Sequence, residues 1–359
     1  MMAQVVMRIK QIYSAAHLYV GIHLSSSPRF GQEISYSRNV FLPVTNMCRN
    51  RCDYCGFRRD PDDGAWFMSP DEVLGLVKRA KAENCSEALL TLGERPEVHP
   101  EARKKLEEFG YESTVDYLVD LSKRILELGL LPHTNAGLLT ERELRRLRRY
   151  NASMGLMLEC AVELPVHRHS PGKEPKLRLK VMETAGKLRI PFTTGLLIGV
   201  GESLKDRKRS LLAIRKLHER YGHIQEIIIQ PFEPKPNTPM ADHPRPSDAE
   251  LLDTVAVARG LMPEMSIQMP PNLVQDLNPF LLAGVNDLGG ISSVTPDFIN
   301  PESPWPSVAE LRAAVEGAGF VPRERLPIYP RYVRDERFMS REVRGRVREL
   351  ADGEGYRAG

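Results

Sequence analysis

Residues 40–55 read VFLPVTNMCRNRCDYC: an apolar run of strand type, Val40 to Val44, that leads directly into three cysteines, Cys48, Cys52 and Cys55. Working outward from it, short apolar runs recur along the chain, separated by segments of helical periodicity, the pattern of a parallel sheet built from βα units. There are eight such runs: Val40 to Val44, Glu87 to Leu92, Leu131 to Ala136, Met154 to Cys160, Phe192 to Gly199, Glu226 to Phe232, Ser266 to Met269 and Leu282 to Leu288. Between them the periodicity predicts helices over Ser69 to Glu83, Thr114 to Leu128, Thr140 to Arg149, Lys176 to Arg189, Leu204 to Tyr221 and Ser247 to Gly260, several opening on a Ser or Thr cap. Eight alternating units predict an α/β fold, a (β/α)8 TIM-type barrel complete or nearly so, with an incomplete barrel plus C-terminal extension as the fallback. The expected organisation is an N-terminal extension over 1–35, the barrel over 36–333, and a C-terminal tail over 334–359 made of a surface helix and a frayed end.

The 359 residues carry 50 Lys and Arg against 47 Asp and Glu, a net charge of +3 spread along the chain, so no polyanionic partner such as nucleic acid is called for. The basic run Arg142 to Arg149 has the spacing of the wet face of a helix whose Leu144 and Leu147 turn inward. Five cysteines, three of them within eight residues, suit a reducing cytoplasm better than a secreted disulfide scaffold. The apolar stretch IYSAAHLYVGIHL at 12–24 is broken by two histidines and follows Arg8 and Lys10; it is expected to be a terminal helix packed on the body rather than a membrane anchor.

Cys48, Cys52 and Cys55 form a C-x3-C-x2-C loop directly after the first strand, close enough to wrap one metal centre. Structural zinc almost always takes four protein ligands. Cys85 precedes the second strand, at the opposite end of a parallel sheet, roughly 15 to 20 Å away at about 3.3 Å per residue. Cys160 turns outward if Glu159 faces the lumen. Three thiolates without a fourth leave one iron of a cubane cluster open for chemistry. At this point the sequence resembles the radical SAM superfamily, whose defining loop places an aromatic residue where Tyr54 stands. The resemblance implies a [4Fe–4S] cluster on the three cysteines and S-adenosylmethionine (SAM) bound at the open iron, cleaved to a 5'-deoxyadenosyl radical.

In barrel enzymes the active site lies at the C-terminal strand ends, and polar or glycine residues recur there: Thr91-Leu-Gly93-Glu94, His133-Thr-Asn135, Glu159, Gln230, and Asn286-Asp287 on the run assigned to strand eight. By resemblance, Gly93 and Glu94 receive the SAM amino group, although one glycine precedes the acid where the family pattern has more. Glu159 binds the ribose hydroxyls, and Ile198 and Gly199, in Gly195-Leu-Leu-Ile198-Gly199-Val-Gly201-Glu202, support adenine. The loop His167-Arg-His169-Ser-Pro-Gly172-Lys173 is rich in donors suited to substrate oxygens.

Whole segments, from SRNVFLPVTNMCRNRCDYCGFRR at 37–59 through QPFEPKPNTPM at 230–240 to NDLGGISSVTPDFINP at 286–301, resemble the 7,8-didemethyl-8-hydroxy-5-deazariboflavin synthase (CofG) family, from about Ser37 to about Pro306. That resemblance implies cyclisation, with loss of ammonia, of an adduct delivered by a sister tyrosine-coupling radical SAM subunit, with electrons from a reducing donor. Asn135, Gln230, Asn286 and Asp287 are the expected substrate contacts, because uracil and ribityl groups need paired donors and acceptors. No residue stands out as a general base. The competing readings are the sister subunit itself, a sulfur inserter (which would need ligands for a second cluster), and a non-catalytic metal-stabilised binding protein.

Overall fold

A computed structural model describes residues 31–359; the apolar stretch at 12–24 lies outside the described residues. Eight parallel strands close into a barrel: β1 (Glu33–Pro43), β2 (Glu87–Thr91), β3 (Leu131–Asn135), β4 (Ser153–Gly155), β5 (Phe192–Ile198), β6 (Ile224–Pro231), β7 (Ser266–Gln268) and β8 (Asp287–Ile291), each paired with the next and β8 with β1. Strand alternation sorts the side chains. On β2, Glu87, Leu89 and Thr91 line the lumen, while Ala88 and Leu90 join Val40, Leu42 and Val44 in the shell under the helices.

Six of the outer helices follow the expected segments: α1 (Pro70–Ala82), α3 (Thr114–Leu128), α4 (Glu141–Arg148), α5 (Pro175–Lys187), α6 (Leu204–Tyr221) and α7 (Asp248–Leu261); α2 (Pro100–Glu108) was not expected. Ser69, Thr140 and Ser247 each complete a capping box with a glutamate three residues on. In α3, Val115, Leu118, Leu121, Ser122 and Ile125 are buried at helical spacing, and Gly129, at φ 104°, ends the helix in the left-handed region that favours glycine. A fully buried leucine or isoleucine in such a shell contributes about 1.5–3 kcal/mol.

The eighth unit corrects the sequence reading. Leu282 belongs to a short helix, α8 (Asn278–Ala283), closed by Gly284 at φ 114°, and the strand begins only at Asp287. A short apolar run does not by itself distinguish helix from strand, and Gly289-Gly290 gave the true strand a weak signature. These glycines are required by packing: Gly289 sits at φ 71°, and a Cβ on Gly290 would overlap the Asn39 amide. Asn286 and Asp287 therefore open β8 at the bottom of the barrel. The fourth strand is also shorter than its apolar run; beyond Gly155 its contact with β5 is reduced to a hydrogen bond from Leu156 N to the Thr193 carbonyl (3.0 Å) and a bridge between Glu159 and Leu196.

After α9 (Val308–Gly317), an unexpected ninth strand, β9 (Val321–Glu324), pairs with Glu33–Tyr36, the lower half of β1, while Asn39–Pro43 above it pairs with β2. The chain then crosses beneath the barrel. The Pro327 carbonyl accepts from Ser153 Oγ (2.6 Å) and Gln225 Nε2 (2.9 Å), and Arg325 reaches up to Asp287 through Nε (2.6 Å) and Nη2 (2.8 Å). The short α10 (Pro330–Val333) and α11 (Arg341–Leu350) cover this floor, with Leu326, Ile328, Tyr332, Val343 and Val347 packed on Leu131 and Ala152. The tail does not fray: Arg357 N donates to the Glu324 carbonyl (3.0 Å) and Tyr356 Oη to Glu33 (3.0 Å).

Replacing Arg325 with leucine strands the Asp287 carboxylate, which is fully buried, without its cation. A loss of about 3–5 kcal/mol in folding stability is expected, read as a lowered urea midpoint of the anaerobic protein.

Candidate active site

The cysteine loop is stitched to the end of β2. Gly93 N donates to the Thr45 carbonyl (2.8 Å) and Arg49 N to the Glu94 carbonyl (2.9 Å). A Cβ on Gly93 would overlap the Met47 carbonyl oxygen and lie 2.8 Å from Cys48 Cβ, so only glycine lets the two segments approach this closely. From the other side, the 165–173 loop clamps the cysteines: Arg51 N donates to the His169 carbonyl (3.1 Å), Asp53 N to the Val166 carbonyl (3.0 Å) and Gly172 N to Asn50 Oδ1 (2.8 Å). This donor-rich loop, expected to hold substrate oxygens, spends much of its capacity on the cysteine loop.

The three sulfurs sit in a polar cradle. Cys48 Sγ accepts from Glu94 N (3.2 Å) and Asn50 N (3.4 Å), and Cys52 Sγ from Ser170 Oγ (3.2 Å). Burial pushes the Cys48 thiol up to about 11 and raises that of Cys55, so these groups keep their protons unless a metal displaces them. Half-buried thiols with N–H and O–H donors aimed at sulfur suit an iron–sulfur cluster. Cys85 and Cys160 do not join them: Cys85 donates to the Asn39 carbonyl (3.4 Å), and Cys160 packs outward on Ser210 of α6 (3.7 Å). Among the described residues no three His, Cys, Asp or Glu side chains converge on a single ion, an arrangement that the wider faces of a cubane do not require.

Beside the cysteines, Tyr54 Oη bonds His167 Nε2 (3.0 Å) and its ring meets the His167 ring edge-on at 5.5 Å. Burial pushes the His167 imidazole down to about 4, with Lys173 adding to the effect, so it is neutral at physiological pH. Glu94 lines the mouth, but its carboxylate is engaged by Arg49 Nε (2.7 Å) and Nη2 (2.6 Å) and by Leu138 N (3.1 Å), and Gly137 and Gly172 leave room for it. Glu159 sits at φ 63°, a rare conformation outside glycine, facing the cavity. Burial raises its carboxyl pKa, but Lys173, in direct contact, and Arg178 at 4.0 Å outweigh burial and hold the group below the usual carboxylate range.

Ile198 points into the core and Gly199, at φ 95°, abuts Pro246; neither lines the cavity. The lumen-facing residue of this segment is Leu197, in an apolar cluster with Cys160, Leu164, Val200, Phe232 and Met240, against which Tyr54 packs. Glu202 accepts from Gly199 N and Val200 N (2.9 Å each) and pairs with Arg207 (2.8 Å), so the acid of the glycine-containing element holds its turn.

Below the mouth lies a cavity of about 430 Å³ that runs down to the floor. Asn135 and Gln230 line it as expected. Asn286 and Asp287 do not. Asn286 Oδ1 accepts from Arg259 Nη2 and Ile267 N (2.8 Å each), and Asp287 is bound up with Arg325, Ser35 and Gly289 N (2.7 Å), because β8 starts at Asp287 and not at Leu282 as the sequence suggested. The residues that sequence reasoning missed lie toward the strand starts: Glu87, Glu226 and Gln225 line the deep cavity with Arg325, and His133, which the sequence placed at the mouth end of its strand, lines the cavity with them. The signal was an acid opening an otherwise apolar strand, as in Glu226-Ile-Ile-Ile. Burial, with Asp287 adding, pushes the Glu226 carboxyl up to about 8; burial also raises Glu87 and pushes His133 down to about 3.

A closed parallel barrel with three cysteines at the mouth defines the class. Residues 42–214 match the radical SAM superfamily, and the solved HydG maturase of Carboxydothermus hydrogenoformans (TM-score 0.67, 18% identity, 98% of this chain and 96% of that one) and methylornithine synthase PylB (TM-score 0.65, 19% identity, 88% and 89%) share the fold. Among curated relatives, the 7,8-didemethyl-8-hydroxy-5-deazariboflavin synthases of Methanopyrus kandleri (52% identity over 333 residues, 90% of this chain and 99% of the relative) and Archaeoglobus fulgidus (52% over 325 residues, 90% and 98%) align nearly end to end. The chain belongs to this synthase family of the radical SAM superfamily, and its cofactors are a [4Fe–4S] cluster and SAM. No helix among the described residues is long and apolar enough to cross a membrane.

Gly93→Ala is expected to lower bound iron at least severalfold, as alanine at Cys48 would, with unchanged helix content. The measurement is iron per chain and visible absorbance after anaerobic reconstitution, beside far-UV circular dichroism.

Proposed function

We propose that this chain closes the central ring of 7,8-didemethyl-8-hydroxy-5-deazariboflavin, cyclising 5-amino-5-(4-hydroxybenzyl)-6-(ribitylimino)-dihydrouracil with loss of ammonia, a carbon–nitrogen lyase step. The observation that carries this is identity of about half over almost the whole length of synthases of that name. A sister radical SAM subunit supplies the adduct, a reducing donor supplies the electron, and the cytoplasm is the compartment.

When bound, the cluster and SAM supply a 5'-deoxyadenosyl radical that takes a hydrogen atom from the substrate. Cys48, Cys52 and Cys55 hold the cluster. The main chain at Gly93 and Glu94 receives the SAM amino group, with the Glu94 carboxylate already bound to Arg49. Glu159, kept ionised by Lys173 and Arg178, accepts hydrogen bonds from the ribose hydroxyls. Tyr54, fixed by His167, and Leu197, held by the turn that follows it at Ile198 and Gly199, shape the adenine site. Asn135 and Gln230 orient the substrate under the mouth, and the closed wall below them keeps water from the radical.

Two outcomes are expected. Anaerobic protein given SAM, dithionite and the preformed adduct forms deazaflavin and ammonia in step with deoxyadenosine, measured by mass spectrometry; turnover of tyrosine with ribitylamino-uracil instead would move the chain to the sister role. Glu159→Gln raises the KM for SAM by about 10- to 100-fold, the cost of losing hydrogen bonds to a charged acceptor, while iron per chain stays constant.

A further inference from the structure

The floor of the cavity leaves buried hydrogen-bonding atoms without partners. Three carboxylates, Glu87, Glu226 and Asp287, surround one guanidinium, Arg325, and that guanidinium bonds Asp287 with two nitrogens. Ser37 donates to Glu87, and Thr193 to Glu226 at 3.0 Å. Two oxygens are left over: Glu226 Oε1, whose nearest cation is Arg325 Nη2 at 3.8 Å, and Asn39 Oδ1; neither has a hydrogen-bond partner among the described residues. Both residues line the cavity, at 4% and 1% exposure. Buried polar atoms without partners are costly, so the group that fits here can both donate and accept hydrogen bonds, which serves Glu226 with or without a proton, and it carries no negative charge. The amides of Asn39 and Gln268, which also line this end, ask the same group for acceptor oxygens. Vicinal hydroxyls meet both demands.

Depth points to the same group. Glu226 precedes Gln230 by four residues on β6, about 13 Å along a strand. The carbons and nitrogen that react must stay near the mouth, at the level of Asn135 and Gln230. The ribityl chain is the one arm of the adduct outside the closing ring, so it is the part free to point from that level toward the floor.

We infer that the barrel floor, centred on Glu226 and Asn39, is the recognition site for the substrate's polyhydroxylated side chain, and that it sets specificity for a ribityl over an unfunctionalised alkyl substituent. This rests on the proposed ring-closing reaction. The floor then acts at a distance from the chemistry: its hydrogen bonds fix how deep the adduct sits, and hence which atoms face the mouth.

The test compares the ribityl adduct with its N-methyl counterpart, using reconstituted wild-type protein, Glu226→Gln and Asn39→Ala. Wild type is expected to prefer the ribityl adduct by about 100-fold or more in kcat/KM, in keeping with sites built to bond hydroxyls. Each variant should reduce that preference at least tenfold, mainly through KM, with iron per chain unchanged. Equal use of both adducts by wild type, or an unaltered preference in a variant that carries its iron, overturns the inference. Should one variant fail to load iron, the other decides. A wild type that converts neither adduct overturns the ring-closing reading itself, which separates the two failures.

Discussion

The Arg325–Asp287 pair ties the end of the barrel to its beginning. A guanidinium and a carboxylate, both buried, repay their desolvation only when the geometry is good and the remaining lone pairs are bonded. Here both conditions hold. Two guanidinium nitrogens meet the two carboxylate oxygens, Ser35 and Gly289 N supply further donors, and the Tyr329 ring lies 4.2 Å from the guanidinium carbon. Because Arg325 follows β9 directly, the pair fixes the crossing of residues 325–329 under the strands. An open-ended barrel becomes a cup with a single mouth, and every later property of the site follows from that shape.

The mouth is governed by close backbone approach rather than by charge. Gly93 lets the Met47–Cys48 segment rest on the end of β2, and the 165–173 loop closes on it from β4. The cysteine loop thus has two rigid supports and little helix or strand of its own. Radical chemistry requires the cleaved cofactor and the hydrogen donor to be held in fixed register, and a loop pinned on both flanks supplies that where a free loop would not.

The sequence revealed the mouth well and the floor poorly, for a physical reason. The three cysteines have a spacing that already implies a compact ligand, Tyr54, Glu159 and Gly93 followed from the family resemblance, and Val40–Val44 identifies the strand that delivers the cysteine loop. The floor is assembled from distant positions, Asn39, Glu87, Glu226 and Arg325, that meet only once the barrel closes, and no local pattern marks them. The misplacement of Asn286 and Asp287 has a related origin: the apolar run that opens at Leu282 resembles a strand, whereas the strand itself contains two glycines. The missing β9 is a short edge strand whose partner is half of β1, a pairing that depends on β1 being longer than its apolar run suggests.

Charge is distributed along the cup in a way that composition conceals. Arg49, Lys173 and Arg178 at the mouth pair with Glu94 and Glu159 and outnumber them by one, so that region offers both signs of charge to a zwitterionic ligand. At the floor, carboxylates outnumber the one guanidinium, and burial pushes Glu226 and Glu87 toward their protonated forms. A protonated carboxyl is both donor and acceptor, matching a hydroxyl's own duality. A charged floor would repel any anionic substrate and hold water tightly; a largely neutral, acceptor-rich one gives up water readily to a polyol. The net charge of +3 says nothing of this, because the asymmetry that matters lies within one cavity and cancels in the sum.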